Sequence, residues 1–317
     1  MNHLSLTAAI MLAASITLPS PVRAWNIPGH MLSGSIAYQI LRRESPSTII
    51  TVRASLAKNP WYESHWKEQL EKIPEGERDE MLFMLAPRWA DDIRTRDKAQ
   101  HRGPWHYINF PFKPDGQPSN VQTNPPQAVN ILTALAEAER IVNTEHDPIR
   151  KAIALTWLFH LVGDIHQPLH SAQIFTTDYP NGDRGGNLIC VRPSETGEAV
   201  DLHRFWDGLL TSTNNLRTLK NMATELRSKF SKSGLTELAS VEPQVWAKES
   251  FEIATKIAYQ NGALRGTPKG QQKDCREVNE VAVLPRGYVT TARHVADRRM
   301  ILASYRLADL LMRVAAN

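Results

Sequence analysis

Apolar residues recur at three- and four-residue intervals along most of the chain, the spacing of one face of a helix, while strict alternation is scarce. The pattern predicts helices over 31–43, 47–56, 64–71, 77–94, 126–143, 148–162, 215–232, 241–259 and 290–316. Pro125-Pro126 and Asp147-Pro148 are start signals, because a proline at the first helical positions gives up an N–H that has no partner there. Pro87 should kink or break the fourth helix. Extended structure is expected only at 187–192, a short hairpin-like segment led in by Gly185-Gly186, and at 281–284. So helical a chain, with long loops between its segments, predicts an all-α fold whose chemistry sits between helices.

One apolar run does not fit that pattern. LSLTAAIMLAASITL, near the start, is too short and wrongly flanked for a membrane span. It reads as a secretory signal peptide over 1–24, although Met1-Asn2-His3 supplies no Lys or Arg. Small residues at Val22 and Ala24 place cleavage before Trp25, which predicts an exported protein, periplasmic or extracellular. An uncleaved anchor would instead keep the Trp25 nitrogen in a peptide bond. Residues 25–317 carry no Gly/Ser linker, charge block or repeat, which favours one domain. With 37 Lys and Arg against 33 Asp and Glu, the chain tolerates an anionic partner without proving one. Two cysteines, Cys190 and Cys275, could form one disulfide after export, and spacing alone does not decide it.

Candidate chemistry concentrates in FHLVGDIHQPLH, residues 159–170. His160 and Asp164 are four apart on a predicted helix, so both project from one face and can close on a single ion. Pro168 should end that helix near Gln167 and turn His170 towards a different point. His203 and Asp207, in DLHRFWD, repeat the spacing on another predicted helix. Either pair could equally be a salt bridge or a hydrogen bond. What points further is the set, with His30 in PGH, Asp91 in WADDIR and His106 in WHYIN. Imidazole with carboxylate and no thiolate is the ligand chemistry of a catalytic zinc site.

Taken in order, Trp25 with His30, WAD at 89–91, WH at 105–106, HxxxD at 160–164, QPLH at 167–170, GGN at 185–187 and HRFWD at 203–207 resemble the zinc-dependent single-strand nucleases of the S1/P1 family. The resemblance implies three Zn²⁺ in an all-α fold. One ion would be held by Asp91, His106, His160 and Asp164, a second by the Trp25 amine and carbonyl, His30 and Asp164, and a third by His170, His203 and Asp207. Asp164 would bridge the first two. Only a processed chain offers the Trp25 amine, which binds metal when deprotonated.

The implied reaction is hydrolysis of the P–O3′ bond of single-stranded DNA and RNA, giving 5′-phosphates, with 3′-mononucleotides as further substrates and zinc-activated hydroxide as nucleophile. Besides the ligands Asp91 and Asp164, Arg94 is placed to stabilise charge on the phosphoryl group, or else it is an ion pair with Asp91 or Asp92. Tyr107 can stack a base or simply pack, and Asn109 and Asn187 are candidates to hydrogen-bond that base's edge. Asn109 stands where many relatives carry Asp. A paired base cannot stack on Tyr107 while in its duplex, which favours single strands. His166 is expected on the helix face or behind the ligands, and His65, His101, His146 and His294 to be structural or exposed. Nothing implies a membrane or a protein partner. Two rivals stand beside this reading. A zinc phospholipase C would share the trinuclear site but calls for an apolar rim. A non-enzymatic zinc binder could close every coordination position, whereas three ligands leave one open.

Overall fold

In the computed structural model, which describes residues 25–316, five α-helices begin where a side chain satisfies a free N–H group. Asn26 caps α1 (Ile27–Glu44), which is followed by α2 (Pro46–Leu56), α3 (Lys67–Glu71) and α4 (Arg78–Arg96). β1 (Phe110–Phe112) precedes α5 (Ile131–Thr144) and α6 (Pro148–Asp164), the latter capped by Asp147. β2 (Ala172–Ile174), β3 (Ile189–Val191) and β4 (Val200–Asp201) lead into α7 (Leu202–Asp207), and α8 (Leu216–Lys229) and α9 (Pro243–Ile253) follow. β5 (Thr267–Pro268) and α10 (Tyr288–Ala316) complete the described chain. The fold is all-α. The signal peptide expected over 1–24 lies outside the described residues.

α1 packs on α4, α8 and α10, while α6 lies against α4 and α5. Trp89, Phe83, Phe159, Met31 and Trp206 are wholly buried between them, each side chain worth about 1.5 to 3 kcal/mol of burial. No described helix is long and apolar enough to cross a membrane. The strands form two small sheets, β1 parallel to β2, and β3 between β4 and β5 with both neighbours antiparallel. A disulfide joins Cys190 to Cys275 and ties β3 to the turn Cys275–Glu277.

Three expectations change. α4 runs unbroken through Pro87. The proline leaves the carbonyl of Phe83, one turn earlier, without its helix partner. Gly34 of α1 lies directly over that carbonyl, which any Cβ at Gly34 would overlap. α5 starts at Ile131 and not at 126, because Asn130 accepts from the Leu132 and Thr133 N–H groups while the Thr133 hydroxyl accepts from the Asn130 N–H. Residues 281–284 form only one bridge, Arg192 to Val283, and β1, β2, β4 and β5 are too short to show alternation in the sequence.

Candidate metal centre and substrate cleft

Six segments converge on one buried region. The first turn of α1 carries His30, and Trp25, just before it, is anchored by its buried indole, which donates to the Gly163 carbonyl at 3.1 Å. α4 brings Asp91 and Arg94, the turn Gly103–His106 brings His106, and the last turn of α6 brings His160 and Asp164. α6 ends at Asp164, between the periodicity bound of 162 and the Pro168 stop near Gln167. The turn Pro168–His170 then places His170, with the Leu169 N–H capped by the Gln167 side chain. α7 supplies His203 and Asp207.

Three groups form: His30, His160 and Asp164; Asp91, His106 and His160; and His170, His203 and Asp207, with the donor atoms of each group within 4.8 Å of one another. Asp164 links them. Its Oδ2 is 2.9 Å from both His106 Nδ1 and His160 Nε2, and its Oδ1 is 3.2 Å from His30 Nε2 and 4.0 Å from His170 Nδ1.

Backbone carbonyls set the imidazole tautomers. His160 Nδ1 donates to Pro87 O at 2.7 Å, His170 Nδ1 to His106 O at 2.6 Å and His203 Nδ1 to Gly185 O at 2.6 Å. Each therefore aims its Nε2 into the site, the arrangement by which proteins orient metal-binding histidines. Both ring nitrogens of His30, His106 Nε2, His170 Nε2 and Asp164 Oδ1 are buried without a hydrogen bond. Orphaned donors of this kind are costly unless a cation satisfies them, and the all-nitrogen-and-oxygen set fits zinc.

The electrostatics agree. Burial pushes the His30 and His106 imidazoles down and takes His170 to about 3, towards the neutral form that ligates, while for His160 burial is outweighed by Asp164 and Asp91, which move it up. Burial alone would raise Asp164, but His160, His170 and the hydrogen bonds from His106 and His160 hold it well below the usual carboxylate range. Asp207 moves well upward through burial and the nearby charges of Asp201, Asp164 and Asp91, against one hydrogen bond from Gln167 at 2.7 Å. Clustered carboxylates of this kind call for a counter-cation.

Arg94 reaches Asp91 Oδ1 with NH2 at 2.8 Å, and Asp92 is held by Arg88 at 2.7 and 2.9 Å. The ion-pair alternative for Arg94 is thus present in the structure, at the edge of the centre. His166 is buried behind the ligands, with Nδ1 donating to Val162 O and Nε2 accepting from Arg306. His65 stacks on Trp61, and His146 is exposed. His101, set aside on spacing, lies with its ring 6.2 Å from that of His106.

A cleft of about 1010 Å³ opens beside this centre, lined by Tyr107, Asn109 and Asn187 together with His203 and Arg184. Tyr107 is half-buried, which raises its phenol, and Asn109 takes the left-handed backbone at φ 55°. Asn187 donates its amide to Arg184 O at 2.8 Å, leaving its carbonyl oxygen for a ligand.

Asp183, which no spacing argument singled out, builds this wall. Arg184, Gly185 and Gly186 are all left-handed, at φ 58°, 64° and 87°. The Asp183 carboxylate accepts from the N–H groups of Ile174, Gly185 and Gly186 and from the Tyr259 hydroxyl. The turn it holds presents Gly185 O to His203 on one side and Asn187 to the cleft on the other. DRGGN carried the signal in the sequence, but only the fold shows which atoms it binds.

The family model described as S1/P1 Nuclease matches residues 25–316. Among curated proteins, the chain is 31% identical to Endonuclease 3 of Arabidopsis thaliana over 308 residues, covering 92% of this chain and 88% of that protein. It is 25% identical to Endonuclease 4 of the same plant over 257 residues, 72% and 76% of the two chains. It is also 28% identical to Nuclease S1 of Aspergillus oryzae over 131 residues, 38% of each.

Proposed function

We propose, from the premise that this chain belongs to the S1/P1 nuclease family, that it is a trinuclear zinc endonuclease of single-stranded DNA and RNA. Cleavage falls at the P–O3′ bond and leaves 5′-phosphates, and 3′-mononucleotides are further substrates. That the protein is a nuclease follows from the family. The observation that carries the finer reading is the convergence of three imidazole–carboxylate groups beside one cleft that carries cations and no carboxylate.

Asp91, His106, His160 and Asp164 would hold one ion, the Trp25 amine and carbonyl with His30 and Asp164 a second, and His170, His203 and Asp207 a third. When bound, the ions activate water at neutral pH and take up charge on the phosphoryl oxygens. His160 stands in both of the first two groups as the structure arranges them, which supports two ions sharing neighbouring ligands. Arg94, positioned by its bond to Asp91, lends a guanidinium to the phosphoryl group. Tyr107 stacks the base, and Asn109 and Asn187 hydrogen-bond its edge; amides donate and accept, so they tolerate more than one base. Stacking of this kind requires an unpaired base, hence the preference for single strands.

The Trp25 role requires removal of residues 1–24, so the working protein is exported, periplasmic or extracellular. The buried Trp25 indole, anchored on Gly163 next to His30, supports a fixed terminus at that point. The cleft lining mixes apolar side chains such as Ile108, Val129 and Leu188 with amides and the cations Arg184, Lys269 and Lys273 and carries no carboxylate, which suits a nucleic acid, whose bases are apolar-faced and whose phosphates are anionic.

The test is the zinc-to-protein ratio of secreted, N-terminally sequenced protein, with cleavage of single-stranded DNA assayed with and without chelator. Three zincs, a Trp25 terminus and chelator-sensitive release of 5′-mononucleotides are expected. Three zincs without nucleic-acid cleavage would favour a phosphodiesterase of another class, or a zinc binder.

A further inference from the structure

The cleft beside the metal centre is larger than one nucleoside requires, at the top of the range that encloses a whole drug-sized ligand. The loop 269–273 also lines it, comes from the far end of the chain and has no part in the metal centre. We infer that Lys269 and Lys273 of this loop bind phosphodiester groups of the strand flanking the nucleotide at the metal centre. The inference rests on the nuclease reading and extends it from a nucleotide site to an oligonucleotide track.

Charge is the first support. Arg184, Lys269 and Lys273 line the cleft and no carboxylate does, in a chain where acidic residues nearly match basic ones. Neither lysine ammonium makes an ion pair among the described residues. Of the neighbouring carboxylates, Asp274 feels the Lys269 charge but binds Arg276 through both oxygens at 2.9 Å, and Glu277 accepts the Lys273 backbone N–H. Lysine suits the task, as a point charge that reads phosphate without reading sequence.

Rigidity is the second. β5 pairs with β3 in the register Ile189 to Pro268 and Cys190 to Thr267, so Lys269 follows directly from a hydrogen-bonded strand. The Lys269 N–H continues the ladder, donating to Leu188 O at 2.9 Å, and the Cys190–Cys275 disulfide closes the other end of the loop. Arg184 and Asn187 lead into the same strand β3. The base-edge wall and the lysine wall are thus one braced unit, and the lysines are held at a set distance from the base site. The amides of Gln271 and Gln272 between them add donors that accept any base or sugar.

The experiment measures binding of fluorescein-labelled, phosphorothioate-linked decathymidylate and of the matching dinucleotide to the zinc-loaded protein, by anisotropy between 0.05 and about 1 M salt. Each lost single-strand phosphate contact removes about 0.7 from the slope of log affinity against log salt. Lys269→Gln with Lys273→Gln should therefore flatten the decamer slope by about 1.4 and weaken decamer binding roughly 25-fold at 0.1 M salt. Dinucleotide binding should be unchanged, and Lys269→Arg with Lys273→Arg should retain the parent slope. An unaltered decamer slope, an equal loss on the dinucleotide, or no decamer binding by the parent protein overturns the inference. Failure of the nuclease reading looks different: the parent binds the phosphorothioate decamer in a lysine-dependent way yet does not cleave the ordinary one.

Discussion

Asp164 lies within 3.2 Å of nitrogens from His30, His106 and His160, so one carboxylate serves residues from three segments of the chain. Asp164→Ala should lose at least two zincs and activity together; full metal content with full activity would remove the bridging role. Tyr107→Ala should leave zinc content intact and raise KM for oligonucleotides roughly 5- to 150-fold, the equivalent of about 1 to 3 kcal/mol of stacking. Tyr107→Phe, which keeps the ring, should behave as the parent. Asp183 yields a pH prediction. Burial raises its carboxyl to about 6 from an ordinary 3.8, with the hydrogen bonds from Ile174, Tyr259, Gly186 and Gly185 pulling the other way. A raised carboxyl contributes stability that is complete below about pH 4 and lost as pH rises through 6. Against Asp183→Asn, which cannot ionise, the parent should gain relative stability as pH falls from 6 to 4 in urea unfolding. A difference independent of pH over that window would contradict the assignment. At this scale the candidate ligand pairs His160 with Asp164 and His203 with Asp207 were legible because imidazole and carboxylate at helical spacing carry their own chemistry, and the other candidate ligands through the family resemblance. Asp183 was not, because its work is to accept backbone N–H groups from residues that fold around it.

At the scale of elements, α1 and α4 meet where Gly34 lies on the carbonyl that Pro87 leaves free. The sequence shows a helix-breaking residue there, and the helix continues because the neighbouring helix packs over the gap. Gly34→Ala should force the pair apart and cost about 1 to 3 kcal/mol, read as a lowered Tm with partly lost zinc, since α1 carries His30 and α4 carries Asp91. An unchanged Tm would mean that the helices yield at no cost. Helix interiors were readable from periodicity, but helix starts depended on capping atoms. The Pro125-Pro126 signal lost to Asn130, whose side chain satisfies two N–H groups that the prolines leave untouched.

On the scale of the whole molecule, ligands from α1, α4, α6 and α7 surround one centre, so ion binding should count as folding free energy. A ligand at a thousand times its Kd stabilises by about 4 kcal/mol. Chelation should accordingly lower Tm by more than about 10 °C, reversibly on adding zinc, and a Tm indifferent to chelator would argue against resident ions. By itself, the sequence determined the helical class, the family, and the residue types able to hold metal and stack a base, because periodicity and ligand spacing are local properties. Tertiary structure alone decided which nitrogen of each histidine faces the centre, since Pro87, His106 and Gly185 offer carbonyls from distant segments. It also decided the disulfide, and the placing of Lys269 and Lys273 in one cleft with Tyr107, because pairings over more than 80 residues depend on the packed chain and leave no trace in local pattern.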